Sequence, residues 1–75
     1  MMCIIMIRQP VDSSNLRSVG YDEQQKNLEI EFNSGGIYQY SNVPNEIYIG
    51  LMNSPSKGTF HHRFIKNNYS YRMVA

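Results

Sequence analysis

Residues 28–40 read LEIEFNSGGIYQY, and this stretch decides the fold. In its first part the apolar residues Leu28, Ile30 and Phe32 alternate with two glutamates. A period of two is typical of a strand with one buried face and one wet face. The Asn-Ser-Gly-Gly run that follows favours a hairpin turn, because Asn and Gly tolerate positive φ. We therefore expect two antiparallel strands joined by a tight loop.

The length of this loop decides where Tyr38 and Tyr40 point. A three-residue loop closed by a left-handed Gly35 would pair Tyr38 with Ile30 and Tyr40 with Leu28, so that both rings join the apolar side. A two- or four-residue loop would leave the rings exposed beside the glutamates, as a stacking platform. A slip of one residue exchanges the two faces. The glycine at the third loop position favours the semi-buried arrangement, in which the hydroxyls reach a rim, and the platform stays open as the alternative.

The rest of the chain predicts an α+β domain. Its apolar patterns indicate four strands, over residues 16–21, 27–32, 37–41 and 69–74, and two helices, one after Pro44 and one over about 56–66. The expected order is β-β-β-α-α-β, a small antiparallel sheet with two short helices packed on one face. In the last strand Tyr69, Tyr71 and Met73 alternate with Ser70, Arg72 and Val74.

The size of the chain allows one domain, which we place at residues 8–75. Residues 1–7 form an apolar N-terminal extension or extra strand, and this segment could support a homo-oligomer. It is far shorter than the ~20 residues that a membrane span needs, and it lacks the features of a signal peptide. The single cysteine, Cys3, favours a reducing compartment. We expect a cytoplasmic protein that does not contact the membrane.

Charge is divided unevenly along the chain. Residues 1–46 carry 3 basic and 6 acidic groups, which gives −3, whereas residues 47–75 carry 4 basic groups and no acidic group, which gives +4. The small total of +1 therefore hides a polarised sequence. A basic segment that is rich in aromatic rings attracts phosphates or an acidic partner.

Ligand-binding candidates follow from this basic half and from the two tyrosines of the hairpin. Serine, lysine and glycine at the start of the second helix suit a phosphate, although ordinary helix capping explains them as well. Basic residues three apart share a helix face, which could simply be solvated. Tyrosines interleaved with an arginine could stack on bases or pack in the strand. The candidates are Tyr38, Tyr40, Ser56, Lys57, Gly58, Arg63, Lys66, Tyr69, Tyr71 and Arg72.

Catalysis, metal binding and a cofactor are not expected. His61 and His62 are adjacent, so they point about 100° apart on a helix and cannot hold one ion from one face. We expect one of them to be packed and the other exposed. The basic half contains no carboxylate that could orient a histidine, and no nucleophile–base pair is evident.

The hairpin and its flanks resemble the KTSC domain, a small family named for an appendage at the C-terminus of some lysyl-tRNA synthetases. The resemblance covers about residues 8–73, and its central hallmark is a Tyr-x-Tyr, here Tyr38-Gln39-Tyr40. It is carried by Leu28-x-Ile30-x-Phe32-x-x-Gly35-x-x-Tyr38-x-Tyr40-x-x-Val43-Pro44, with Val11-x-Ser13-Ser14, Val19-Gly20-Tyr21-Asp22 and Ser54-x-Ser56-x-Gly58-x-Phe60 around it. Members of this family occur alone in bacteria and their mobile elements. The family has no established activity, and the synthetase context implies RNA binding.

We expect a small binding domain that is not an enzyme, because the C-terminal half is basic and aromatic and the chain resembles the KTSC domain. Its ligand would be RNA or another phosphate-bearing molecule, held by the basic, aromatic C-terminal half. One alternative is a protein-interaction module of a phage or mobile element that docks on an acidic host protein. The other is an oligomeric receptor that sequesters a nucleotide signal.

Overall fold

The computed structural model describes residues 8–75 and has an α+β architecture, as expected. The expected extension or strand over residues 1–7 lies outside the described residues. The elements in chain order are β1 (Gln9–Pro10), β2 (Leu16–Asp22), β3 (Asn27–Phe32), β4 (Ile37–Tyr40), α1 (Asn45–Asn53), α2 (Lys57–Phe60), a π-helical turn (His61–Ile65) that continues α2, and β5 (Tyr71–Met73). The order agrees with the prediction apart from β1, a short strand that the sequence did not indicate.

The sheet is an antiparallel meander in the order β1-β2-β3-β4-β5. The chain leaves it after β4, forms both helices, and returns to add β5 along the edge of β4. Within the described part of the chain, neither helix has the length and apolar character that crossing a bilayer requires.

The β3–β4 hairpin has the three-residue loop that the glycine pattern favoured. Gly35 adopts φ 111°, and its N–H donates to the Phe32 carbonyl at 2.9 Å. Tyr38 then pairs with Ile30, and Tyr40 pairs with Leu28. Residues directly opposite in a sheet share a face. Both tyrosines therefore lie on the apolar side, and the exposed platform is not formed.

The core lies between this side of the sheet and the helices. The fully buried side chains come from β2, β3, the segment before α1, and both helical segments: Leu16, Val19, Leu28, Ile30, Val43, Leu51 and Ile65. Tyr40 joins them at 3% exposure. Burying a Leu or Ile side chain contributes about 1.5–3 kcal/mol, so this cluster fixes how the helices sit over the hairpin.

The opposite face of the sheet is polar. Glu29 is buried there, forms an ion pair with Arg8, and accepts a hydrogen bond from Gln39 Nε2 at 3.1 Å. Ser18 Oγ accepts a hydrogen bond from Arg8 Nε at 3.1 Å and donates to Glu31 Oε1 at 3.0 Å. The two carboxylates of β3 are therefore held on the side away from the helices.

Candidate functional site

A cavity of about 700 Å³ opens between the β3–β4 hairpin, β5 and the π-helical turn; we call it the aromatic cavity. Five of its lining residues, namely Phe32, Tyr38, Tyr40, His61 and Tyr71, have rings that contact one another. The other lining residues are mainly polar: Ser14, Asn15, Leu16, Asn33, Ser34, Gly58, His62 and Lys66. The volume falls in the range of about 300–1,000 Å³ that small-molecule sites occupy.

The five rings contact one another in a closed circuit. Phe32 meets Tyr38 at 5.6 Å between ring centroids, and Tyr38 meets Tyr71 at 5.6 Å. Tyr71 meets Tyr40 at 5.4 Å, and Tyr40 meets His61 at 5.5 Å. A His61–Phe32 contact at 5.1 Å closes the circuit. Tilted and edge-on pairs at such distances are favourable, so the rings support one another as one side of the cavity.

Tyr40 and His61 form a hydrogen-bonded pair within this circuit, with 2.7 Å between the Tyr40 hydroxyl and His61 Nε2. Burial, with smaller effects of Lys66 and His62, lowers the pKa of His61 to about 4. Burial also raises the pKa of Tyr40 to about 12, helped by Tyr71 and Tyr38. Both groups are therefore neutral near pH 7, and the pair offers a hydrogen-bonding surface without net charge.

The π-helical turn places His61 in this position. Lys66 N–H donates to the His61 carbonyl at 2.9 Å, a bond across five residues that widens the turn. Within the turn His61 and Ile65 are buried, whereas His62 is exposed. The prediction that one histidine is packed and the other exposed is therefore confirmed. Turns of this type occur frequently at functional sites.

The charge at the aromatic cavity is positive. Lys66 lines it, and none of the lining residues in the described chain is an Asp or a Glu. Within residues 8–75 the ion pair found is that of Arg8 with Glu29 on the far face of the sheet, so Lys66 has no carboxylate partner there. The cavity thus combines ring surfaces with an unpaired cation.

A smaller cavity of about 300 Å³ adjoins the first; we call it the polar cavity. The two share Ser14, Asn15 and Gly58. The other residues that line the polar cavity are Asp12, Ser13, Pro55, Ser56, Lys57 and Thr59. Ser56 precedes α2 but does not cap it with its side chain, which instead donates to Thr59 Oγ1 at 2.9 Å. Lys57 Nζ donates to the Ser54 carbonyl at 3.1 Å.

The structure brings together most of the candidates from the sequence, but not all of them. Tyr38, Tyr40, Gly58, Lys66 and Tyr71 line the aromatic cavity, while Ser56, Lys57 and Gly58 line the polar cavity. Neither cavity is lined by Arg63, Tyr69 or Arg72.

Arg72 lies on the polar face of the sheet, away from both cavities. It pairs with Gln39, whose side chain bonds to Glu29 on the polar face, whereas its neighbour Tyr71 pairs with Tyr40. Tyr69 is partly buried against the core, and Arg63 is exposed on the π-helical turn. The four basic side chains among the candidates therefore do not share one surface, because alternation along β5 places Arg72 on the opposite face from Tyr71.

Several cavity residues were not among the candidates. Asn33 appeared only as a turn residue, yet its Nδ2 donates to the Ser13 and Ser14 carbonyls at 3.3 and 3.0 Å and so ties the hairpin loop to the start of β2. Asn15 lies against Gly58, where an added Cβ would overlap the Asn15 amide nitrogen. In the sequence, Phe32 was recognisable only as an apolar residue of the strand. No sequence pattern connected His61 with Tyr40.

The chain matches known proteins over most of its length. A solved KTSC domain protein of Yersinia pestis shares 41% sequence identity, with a TM-score of 0.92 over 95% of this chain and 100% of that one. An uncharacterized protein of Stutzerimonas stutzeri is 43% identical over 67 residues, covering 88% of this chain and 94% of its own.

A lysine–tRNA ligase of Nostoc sp. is 36% identical over 64 residues, and these are 85% of this chain but only 11% of the ligase. The resemblance seen in the Tyr-x-Tyr hairpin is confirmed by a sequence model of the KTSC domain, which matches residues 12–69. The chain belongs to the KTSC domain family.

Proposed function

We propose that this domain is a non-catalytic module that binds single-stranded RNA, or a closely similar phosphate-bearing ligand, in the aromatic cavity. One observation carries the proposal. A cavity with five rings along it contains Lys66 and, among the described residues, no carboxylate. A ligand that combines flat apolar rings with negative charge fits this combination, and a nucleotide chain is such a ligand.

Tyr71 and Tyr38 supply the ring surfaces that a base can reach. Tyr71 is 56% exposed, and Tyr38 is half-buried beside it. Stacking of a base on such a ring contributes about 1–3 kcal/mol in proteins that bind single strands. Tyr40 and His61 lie deeper and hold the rings in place, while their neutral hydrogen bond leaves the cavity without a buried charge.

Lys66, with His62 beside it at the cavity, supplies the polar contacts that a phosphate group needs. The carboxylates of β3 would repel a phosphate, but they lie on the far face with Arg8, Ser18 and Gln39. The position of both β3 carboxylates on the face away from the helices therefore favours approach of an anion to the aromatic cavity from the helix side.

The relatives support RNA as the anion. Lysine–tRNA ligases, by their name, act on a tRNA, and a segment similar to this chain forms about a tenth of their length. The similar segment is only 11% of those ligases, so it supports a shared binding role and not the ligase activity. With RNA as its ligand, the domain would act in the cytoplasm.

Fluorescence anisotropy with labelled single-stranded RNA tests the proposal. We expect Tyr71→Ala to weaken binding by roughly 5- to 150-fold, which corresponds to about 1–3 kcal/mol of lost stacking. Lys66→Gln should also weaken binding. It should make the slope of log binding constant against log salt concentration shallower by about 0.7, which corresponds to one lost phosphate contact. Arg72→Gln is the matched control: it removes the same charge from the opposite face and should leave affinity unchanged.

RNA binding that is lost equally in Lys66→Gln and Arg72→Gln would contradict the proposed site. No RNA binding at any salt concentration, together with capture of a protein that survives nuclease treatment, would overturn the proposal in favour of a protein-interaction module.

A further inference from the structure

The aromatic and polar cavities are two parts of one groove. They are adjacent and share Ser14, Asn15 and Gly58, which lie at the junction between them. The Asn15 side chain lies against Gly58 at this junction, which the absence of a Cβ on residue 58 allows. A ligand in the aromatic cavity can therefore continue over Asn15 and Gly58 into the polar cavity.

The chemistry of the two parts differs along the groove. The aromatic cavity offers rings, whereas the polar cavity offers the Ser56 and Thr59 hydroxyls and the Lys57 ammonium group. Lys57 uses one donor on the Ser54 carbonyl, and an ammonium group has three. Two donors remain for a phosphate.

Asn15 adds an uncommitted amide between the two parts. Its backbone groups bond to Ser13 and Asn33, but its side-chain amide has no hydrogen-bond partner within residues 8–75. An amide offers both donors and an acceptor, so it can bond to a sugar or a phosphate that crosses the passage.

Asp12 also lines the polar cavity. Its carboxylate would repel a phosphate placed against it, but it can accept a hydrogen bond from a sugar hydroxyl. A cavity with one cation and one carboxylate therefore suits a sugar–phosphate unit better than an isolated phosphate.

From this arrangement we infer that the groove binds at least two successive nucleotides of a single strand, with the first nucleotide in the aromatic cavity beside Lys66 and the sugar–phosphate of the next nucleotide in the polar cavity beside Lys57. The inference rests on the proposed function and extends it, because it makes an oligonucleotide rather than a free mononucleotide the ligand. The ammonium group of Lys66 contacts the phosphate of the first nucleotide, and that of Lys57 contacts the phosphate of the second.

Isothermal titration calorimetry with uridine monophosphate and with the dinucleotide pUpU, repeated with the adenine pair, tests the inference. We expect each dinucleotide to bind ~10-fold more tightly than its mononucleotide, a ratio equal to about 1.4 kcal/mol. Lys57→Gln keeps a donor for the Ser54 carbonyl but removes the charge, and it should reduce this ratio toward 1 by weakening binding of the dinucleotide. Lys66→Gln should weaken both ligands, and Arg72→Gln should weaken neither; thermal unfolding midpoints establish that the variants are folded.

Failure of the groove and failure of the proposed binding site give different results. Equal affinity for the mononucleotide and the dinucleotide, or equal loss of both in Lys57→Gln, would overturn the groove and leave the aromatic cavity as a binding site. Absence of binding for all of these ligands, with the wild-type protein folded, would overturn the proposed function itself.

Discussion

Lowering the pH from about 7 to about 5 is expected to destabilise this domain through one buried side chain, His61. Its ring lies against Phe32 and Tyr40, and its Nε2 bonds to the Tyr40 hydroxyl. Burial, followed by the nearby Lys66 and His62, lowers its pKa from the ordinary 6.5 to about 4. The unfolded chain therefore takes up a proton on this residue at a higher pH than the folded domain does.

The sign and size of the effect follow from proton linkage. Between the two pKa values the unfolded state binds more protons, so the free energy of unfolding falls as the pH falls. The contribution is fully present above about pH 6.5 and is lost toward pH 4. With a pKa near 6.5 unfolded and about 4 folded, the loss from about pH 7 to about pH 5 is about 2 kcal/mol.

Chemical denaturation at a series of pH values measures this loss. His61→Gln is the matched variant, because the Gln amide can still bond to the Tyr40 hydroxyl but does not titrate. We expect the wild-type protein to lose about 2 kcal/mol more than this variant over the same interval. Parallel pH profiles for the two proteins would contradict this prediction, since they would show that His61 takes up a proton as easily in the folded state as in the unfolded state.

Three substitutions test the fold by denaturant unfolding. Gly35→Ala should cost about 1 kcal/mol or more, because residue 35 holds φ 111° in the hairpin loop; an unchanged midpoint would argue against the left-handed turn. Leu51→Ala should cost about 2–5 kcal/mol, because Leu51 is fully buried in the core, and a cost below this range would mean that α1 packs elsewhere. Gly50→Ala should gain less than the ~1 kcal/mol that alanine normally adds over glycine inside a helix, because the new Cβ would lie 2.8 Å from Phe60 Cζ and the ring would have to shift; the full gain would contradict the close approach of α1 to α2.

The fold was predictable where local pattern and tertiary packing agree. The alternation of Leu28, Ile30 and Phe32 placed β3, and the glycine at position 35 set the register of the hairpin, which in turn oriented Tyr38. Strand β1 was not predictable, because its two residues have no periodicity and one of them is proline. It forms because Gln9 and Pro10 meet the edge of β2.

The site was only partly predictable, because proximity in sequence is not proximity in space. Tyr40 and His61 are 21 residues apart, and no pattern joins them. The basic residues are grouped along the C-terminal half, yet Lys66 and Arg72 lie on different sides of the sheet. The alternation of Tyr71 with Arg72 in a strand already implied that their side chains lie on opposite faces. The net charge of residues 47–75 does not contain this information.

We propose above that a single RNA strand binds to the ring-lined side of the domain, between the hairpin and the π-helical turn. NMR titration of the labelled domain with single-stranded RNA tests it most directly. We expect chemical-shift changes to cluster at Tyr38, Tyr71 and Lys66, while Gln39 and Arg72 on the polar face keep their positions. Changes centred on Gln39 and Arg72, or a spectrum that RNA leaves unaltered, would contradict the account.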